Sequence, residues 1–218
     1  MFNNSYIGLR PDLLQHIKGE HLRVLDVGCA AGANGKWLME HDVADHIEGI
    51  EISSEMAIEA AKHYHRVHIG NLDGEGVLSD ISDQSFDWIL LGDVLEHLID
   101  PGLVLERLVK KLKVGGRTVI SVPNMRHIDV FIHLFVKGIW PKNERGIFDK
   151  THLQVFTEKK LRSFIGETGL FHVDTAYNYR VRDKVGSQFT SYPLDRVLRK
   201  IFPKLYVFQI IVVARRDS

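Results

Sequence analysis

The sequence predicts an α/β fold built on a doubly wound, mostly parallel seven-stranded sheet, and three observations carry that expectation. Strand signals recur at Leu22–Val27, His46–Glu51, Arg66–Ile69, Asp87–Leu91, Arg117–Val122, Phe171–Tyr177 and Leu205–Ala214. Helical patterns separate most of them, and strands alternating with helices form parallel sheets joined by crossovers. The 218 residues suit a single domain, 1–218, large enough to bury a core without metal or disulfide support.

Taken in order, Leu22–Val27 leads directly into a turn bearing Gly28 and Gly32, and a helix over Ala33–Glu40 follows. His46–Glu51 closes on an acidic residue, after which Ser53 or Ser54 caps a helix over Glu55–Tyr64. Arg66–Ile69 ends in the turn Gly70-Asn71-Leu72-Asp73, and Asp87–Leu91 ends in Gly92-Asp93. Asp100-Pro101 opens a helix over Gly102–Leu112 that precedes the fifth strand, and Thr157-Glu158 opens Lys159–Thr168, which Gly169 ends. The connection 179–204, before the last strand, is too rich in Tyr, Arg and Pro for a tidy crossover helix.

Residues 123–156 break the alternation and are too long for an ordinary loop. Within them Ile128–Trp140 is apolar on more than one face, and Pro141–Gly146 ends the helix. Its place after the fifth strand is where open α/β sheets bind ligands, so a helical lid or substrate wall is expected. Packing on the core or at a dimer seam competes with that reading.

Lys+Arg and Asp+Glu balance at 28 each, yet residues 1–109 carry net −12 and residues 110–218 net +12. The densest basic cluster holds Arg180, Arg182, Lys184, Arg196, Arg199, Lys200 and Lys204 against Asp183 and Asp195. Such asymmetry suits an anionic substrate or surface, and equally suits solvated helix faces that merely segregate. The single cysteine, Cys29, excludes an internal disulfide. The longest apolar run, Leu205–Ala214, contains Gln209 and is too short to span a bilayer. With no leader-like pattern at Met1–Tyr6, a cytoplasmic protein is expected.

The glycine turn and Glu51 form an address for an adenosine-type cofactor, because a carboxylate closing the second strand can accept both hydroxyls of a ribose. Ala30 occupies the place of the second glycine in a dinucleotide fingerprint, so G-x-G-x-x-G is absent and close approach of a pyrophosphate is disfavoured. The stretch Asp26-Val27-Gly28-Cys29-Ala30-Ala31-Gly32 is followed in order by Glu51, Gly70-Asn71-Leu72-Asp73, Phe86–Asp93 and Leu112–Arg117. This series resembles that of the class I S-adenosylmethionine-dependent methyltransferases over about residues 22–178. The resemblance implies a Rossmann-like sheet whose last strand is inserted antiparallel beside its predecessor. It implies S-adenosylmethionine as cofactor, S-adenosylhomocysteine as product, and contacts from Asp26, Gly28, Cys29, Ala30, Gly32, Glu51, Ile52, Asn71, Leu72, Asp73, Gly92 and Asp93. Tyr6 and Arg10, in the N-terminal segment 1–20, are expected to fold over the cofactor, Arg10 gripping its carboxylate bidentately. Ala30 departs from the usual glycine, and Asn71 from the usual aspartate, although its carbonyl oxygen can still accept from an adenine amino group. Ser121–Asn124 and Phe148–Thr157 resemble the subset found among polysaccharide and other small-molecule modification enzymes.

Transfer from a sulfonium is a direct displacement, in which the protein aligns the acceptor and excludes water. An oxygen acceptor of high pKa also needs a base. Asp93, Glu96 and His97 share a helical face just after the fourth strand, and His97 is the first candidate base. His152 is the second, beside Lys150 and Thr151 on the far side of the insertion, with His127 on its near side. The segment also resembles that of quinone-pathway O-methyltransferases, where the acidic residue three before Glu-His can contribute to a divalent-metal site. Asp93, Glu96 and His97 could thus hold Mg²⁺ or Zn²⁺, but no metal is expected, and Glu96-His97 read equally well as a helix start. The expected function is O-methylation of a small molecule or sugar-containing metabolite. An RNA methyltransferase is an alternative that the basic half permits, although no N/D-P-P-Y/F/W motif is present. A non-catalytic cofactor-binding scaffold, or a homodimer, docking through Ile128–Trp140 is the other.

Overall fold

The computed structural model describes residues 8–74, 76–183 and 193–217. After a four-residue helix α1 (Pro11–Leu14), the chain runs β1 (Leu22–Val27), α2 (Ala33–Glu40), β2 (Ala44–Glu51), α3 (Ser54–Ala60), β3 (Arg66–Ile69), α4 (Gly76–Ser79) and β4 (Phe86–Gly92). It continues through a 3₁₀ turn (Leu95–His97), α5 (Pro101–Lys111), β5 (Leu112–Pro123), α6 (Ile128–Phe131), α7 (Glu158–Glu167), β6 (Leu170–Tyr179), α8 (Pro193–Ile201) and β7 (Val207–Arg216). The strands form one sheet in the order β3-β2-β1-β4-β5-β7-β6. β7 lies between β5 and β6, antiparallel to both, and the remaining pairs are parallel. The expected seven-stranded sheet and the antiparallel insertion of the last strand are both present.

Side-chain alternation explains why the sheet is covered on both faces. Leu25, Val27, Ile50, Ile89, Leu91, Ile120, Val122 and Val212 join one apolar cluster. Their neighbours Val24, Ile47, Leu90, Val119 and Val213 join the other. Period-two strands with both sets apolar can be buried only between two layers. The three legible helix caps act as expected: Ser53, Asp100 and Thr157 accept the backbone N–H of Met56, Leu103 and Lys160. Each such cap stabilises by about 1 kcal/mol.

Several boundaries differ from the sequence expectation for identifiable reasons. β2 begins at Ala44 and β5 at Leu112 because Leu22 and Phe86 pair with those residues across register shifts that precede the regular ladders. α3 stops at Ala60, so the ring of Tyr64 turns inward beneath Gly35 and Gly49, where any Cβ would collide with it.

The insertion departs most. α6 continues as a wider π-type turn over Ile132–Val136 and then ends. Ile128 packs with Val181 and Tyr206, and Val130 with Ile147, Phe148 and Phe208, which pins the segment to the β6–β7 side of the sheet. Phe131, Leu134, Phe135, Val136, Ile139 and Trp140 remain exposed. Of the basic cluster, Arg182 pairs with Asp195 at 2.7 Å and Lys204 with Glu158 at 3.3 Å. Lys184 and the side chain of Arg196 lie outside the described residues. No helix among the described residues is long and apolar enough to cross a membrane.

Candidate functional site

The strand order reverses between β1 and β4, and a cleft of about 740 Å³ opens at the carboxyl ends of these strands. Open α/β sheets bind ligands at such a switch point because the flanking loops diverge there. The turns after β1, β2, β3 and β4 form its floor and sides, Leu9 and Arg10 lie along one rim, and Glu144 with Asp149–Thr151 lie along another. The insertion therefore reaches the cleft through its return. No residue of the apolar stretch Ile128–Trp140 lines it, which corrects the expectation of a helical wall.

Glu51 organises the floor. Its two carboxylate oxygens accept the N–H of Ala30 and of Ser53, each at 2.9 Å, and tie the turn after β1 to the turn after β2. The β1 turn is held with Gly28 at φ +70° and Ala30 at φ +46°, the left-handed region that favours glycine. Ala30 stays there because its N–H has a charged acceptor. Beneath the turn, Asp26 accepts the Tyr64 hydroxyl at 2.6 Å while the Tyr64 oxygen accepts the Gly35 N–H at 3.0 Å. Burial pushes the Asp26 carboxyl up to about 6, against the hydrogen bonds from Tyr64 and Asn34 that pull it down. Cys29 lines the cleft, and burial raises its thiol far from reactivity.

Asp26, Gly28, Cys29, Ala30, Glu51, Ile52, Asn71, Leu72, Asp73, Gly92, Asp93 and His97 all line this cleft, and Arg10 joins them. Ile52 is 68% exposed there, an apolar surface opposite polar walls. Three expected roles change. Gly32 does not line the cleft: its φ is +83° and a Cβ would lie 2.9 Å from the Ala60 backbone, so it is required by the close packing of α2 on α3. Asn71 spends its carbonyl oxygen on the Asp73 N–H at 3.0 Å, leaving one lone pair for a ligand. Arg10 cannot offer a bidentate fork to a cofactor carboxylate, because Asp12 already takes Nε and Nη2 at 2.9 and 2.8 Å and Asp93 takes Nη1 at 2.6 Å. Tyr6 lies outside the described residues.

Around His97 the hydrogen bonds settle a tautomer. Thr151 Oγ1 donates to Asp149 Oδ1 at 2.6 Å, so it can only accept from His97 Nδ1 at 3.0 Å. The neutral ring then keeps its Nε2 lone pair. His152 stands behind His97, ring centroids 4.8 Å apart, and is not part of the cleft lining, contrary to its expected catalytic place. His127 is buried as the cap of α6, bonded to the Arg180 carbonyl and the Asp129 N–H, and is structural. Of the metal option, Asp93 is occupied by Arg10, Gln209 and Ser121. Glu96, His97 and His152 are the donors that converge, one atom of each within 4.8 Å of the others. Glu96 is 1% exposed, and neither carboxyl oxygen has a hydrogen-bond partner of normal geometry. Burial, with the Asp93 charge adding, holds it well above the usual carboxylate range and therefore protonated. Sequence reasoning missed Tyr64, Asn34 and Asp149, whose roles arise only from tertiary contacts.

The sheet order, the switch-point cleft and the acidic residue ending β2 define the class I S-adenosylmethionine-dependent methyltransferase fold. A solved S-adenosylmethionine-dependent methyltransferase from Archaeoglobus fulgidus shares that fold with a TM-score of 0.67 at 20% identity, over 95% of this chain and 91% of its own. The chain belongs to the MetW family, described as methionine biosynthesis protein MetW, whose sequence model matches residues 11–146. It is 30% identical over 125 residues to the ubiquinone biosynthesis O-methyltransferase of Coxiella burnetii, covering 55% of this chain and 50% of that protein. It is 28% identical over 104 residues to phosphoethanolamine N-methyltransferase 2 of Caenorhabditis elegans, covering 45% and 23%. These matches span half or less of the length of the two curated relatives.

The protonated Glu96 makes stability depend on pH. Unfolded, the group ionises near 4.5, whereas folded it keeps its proton, so stability is lost as pH rises above that value. Glu96→Gln removes this loss. Thermal melts of both proteins from about pH 4 to about pH 8 are expected to show the variant gaining on the wild type as pH rises.

Proposed function

We propose that the protein is an S-adenosylmethionine-dependent methyltransferase that transfers the methyl group to an oxygen of a small-molecule acceptor. The observation that carries this reading is the Glu51 carboxylate, held by two backbone N–H groups at the floor of a switch-point cleft. The residues present fit this cofactor better than a dinucleotide. At the start of α2, where a pyrophosphate would be held, the Gly35 N–H is already used by Tyr64. The carboxyl groups of Asp26, Glu51, Asp73, Asp93 and Asp149 along the cleft suit a cationic sulfonium and oppose a diphosphate.

Once bound, the cofactor supplies an activated methyl group for direct displacement. Glu51 would take the ribose hydroxyls through its remaining lone pairs, Ile52 and Leu72 would flank the adenine, and Asn71 and Asp73 would hold its polar edge. His97, with Nδ1–H directed to Thr151, receives the acceptor proton at Nε2. Asp149 and Thr151 hold that ring in place. The names of the two curated relatives point to small acceptors, and the family description directs the search for this one to metabolites of methionine biosynthesis. A second reading, a cofactor-binding scaffold, is favoured by the exposed apolar side chains between Phe131 and Trp140. Cofactor binding without methyl transfer to any extract would select it.

Calorimetric titration is expected to show binding of S-adenosylhomocysteine and not of NAD. Glu51→Ala should weaken the former by about 1.5–3 kcal/mol, roughly 10- to 150-fold. Binding of NAD in place of S-adenosylhomocysteine would overturn the reading. The imidazole nitrogen shifts of His97 test the base: the Nδ1–H tautomer is expected in the wild type and in Thr151→Ser, and is expected to be lost in Thr151→Val.

A further inference from the structure

A second cavity, of about 510 Å³, lies beside the cofactor cleft at the same edge of the sheet. The two share Leu9 and Arg10 as walls. Between them runs a thin polar partition in which Gln209, facing the second cavity, donates to Asp93, facing the first, at 2.6 Å. The two arginines of the second cavity differ in a way that assigns their roles. Arg10 has four of its five N–H donors taken by Asp12, Asp93 and Ser121. The Arg180 guanidinium lies 3.9 Å from the centroid of the Phe208 ring, which covers its face and leaves its N–H edge open.

Among the described residues no hydrogen-bond acceptor meets that edge. Asp183 Oδ1 makes a long ion pair with Arg180 Nη1 at 3.8 Å, beyond hydrogen-bond reach, while its Oδ2 accepts the Ile147 N–H at 2.9 Å. Arg180 is 32% exposed and lines the cavity, so its free N–H groups are accessible to a ligand there. Arg145 does not line the cavity but adds positive charge near it that opposes the charge of Arg180, whereas Asp93, across the partition, favours it. A cation with an open donor edge, stacked on an aromatic ring, matches the planar fork with which arginine binds oxyanions.

We propose that this second cavity is the acceptor subsite, and that Arg180, assisted by Arg145, binds an anionic group of the acceptor, a carboxylate or a phosphate. The proposal rests on the methyltransferase reading and names its substrate class: a small anionic metabolite whose charged end sits on Arg180 and whose reactive end passes the shared rim at Leu9 and Arg10 toward His97. Carboxylates dominate the cleft that takes the cationic cofactor, whereas in the second cavity Arg10 and Asp12 pair with each other and Arg180 is the remaining charge, so the partition separates two opposite recognition tasks. Arg180 lies beyond the residues that match the MetW family, whereas Pro11 and Asp12 on the cavity wall and Arg145 near it lie within them.

The test uses the full chain saturated with S-adenosylhomocysteine. Inorganic phosphate and succinate are titrated separately while the Nε–H signals of the arginines are followed by NMR. A saturable shift of Arg180 with one anion is expected, phosphate or succinate according to the acceptor's chemistry. Arg180→Gln should weaken that anion tenfold or more and Arg145→Gln severalfold, with S-adenosylhomocysteine affinity within twofold of wild type in both. Arg145 is exposed, so its variant keeps the test decisive if Arg180→Gln folds poorly. Absence of a saturable response in the wild type, or unchanged anion binding in both variants, overturns the subsite while leaving the cofactor reading intact. Loss of S-adenosylhomocysteine affinity in Arg180→Gln overturns it differently, by moving Arg180 to the cofactor. Failure of the wild type to bind S-adenosylhomocysteine at all removes the methyltransferase reading itself.

Discussion

The Glu51 carboxylate is the constraint on which the site depends. Its oxygens join the N–H of Ala30 to the N–H of Ser53, and so couple the loops that follow β1 and β2. A non-glycine residue in the left-handed region costs on the order of 1–2 kcal/mol. A hydrogen bond to a charged group returns about 1.5–3 kcal/mol, enough to hold Ala30 at positive φ. Tyr64 completes the arrangement from below by bridging Asp26 to the Gly35 N–H. The cleft floor is thus shaped before any ligand arrives, which lowers the ordering cost of binding.

The sheet topology converts a charge asymmetry along the chain into one across a partition. β1 to β4 supply the acidic loops of the cleft. Insertion of β7 between β5 and β6 brings Gln209, Asn178 and Arg180 from the basic half to the same edge. Asp93 sits where the halves meet, bonded to Arg10 from the N-terminal segment and to Gln209 from the last strand. A cationic methyl donor and an anionic acceptor would each meet complementary charge within one continuous edge of the sheet.

Most of the scaffold and the floor of the cleft were legible in the sequence because they rest on local chemistry. Alternating apolar strands, caps at Ser53, Asp100 and Thr157, and a carboxylate ending β2 are short-range patterns. What escaped depends on partners far along the chain. Gly32 looks like a ligand-facing glycine in the motif, yet its requirement comes from Ala60 on the next helix. Arg10 looks free to bind a carboxylate, yet Asp12 and Asp93 have taken its donors. The apolar stretch after β5 suggested a lid. Its buried residues instead anchor it to Tyr206 and Phe208, and the polar return at Asp149–Thr151 reaches the cleft.

The most direct test of the account is a crystal structure of the full chain grown with S-adenosylhomocysteine. It predicts the ribose hydroxyls on Glu51, between the Ala30 and Ser53 backbones, with the sulfur directed toward Asp93 and His97. A nucleoside seated elsewhere, or a cleft closed by its own side chains at saturating ligand, would contradict it.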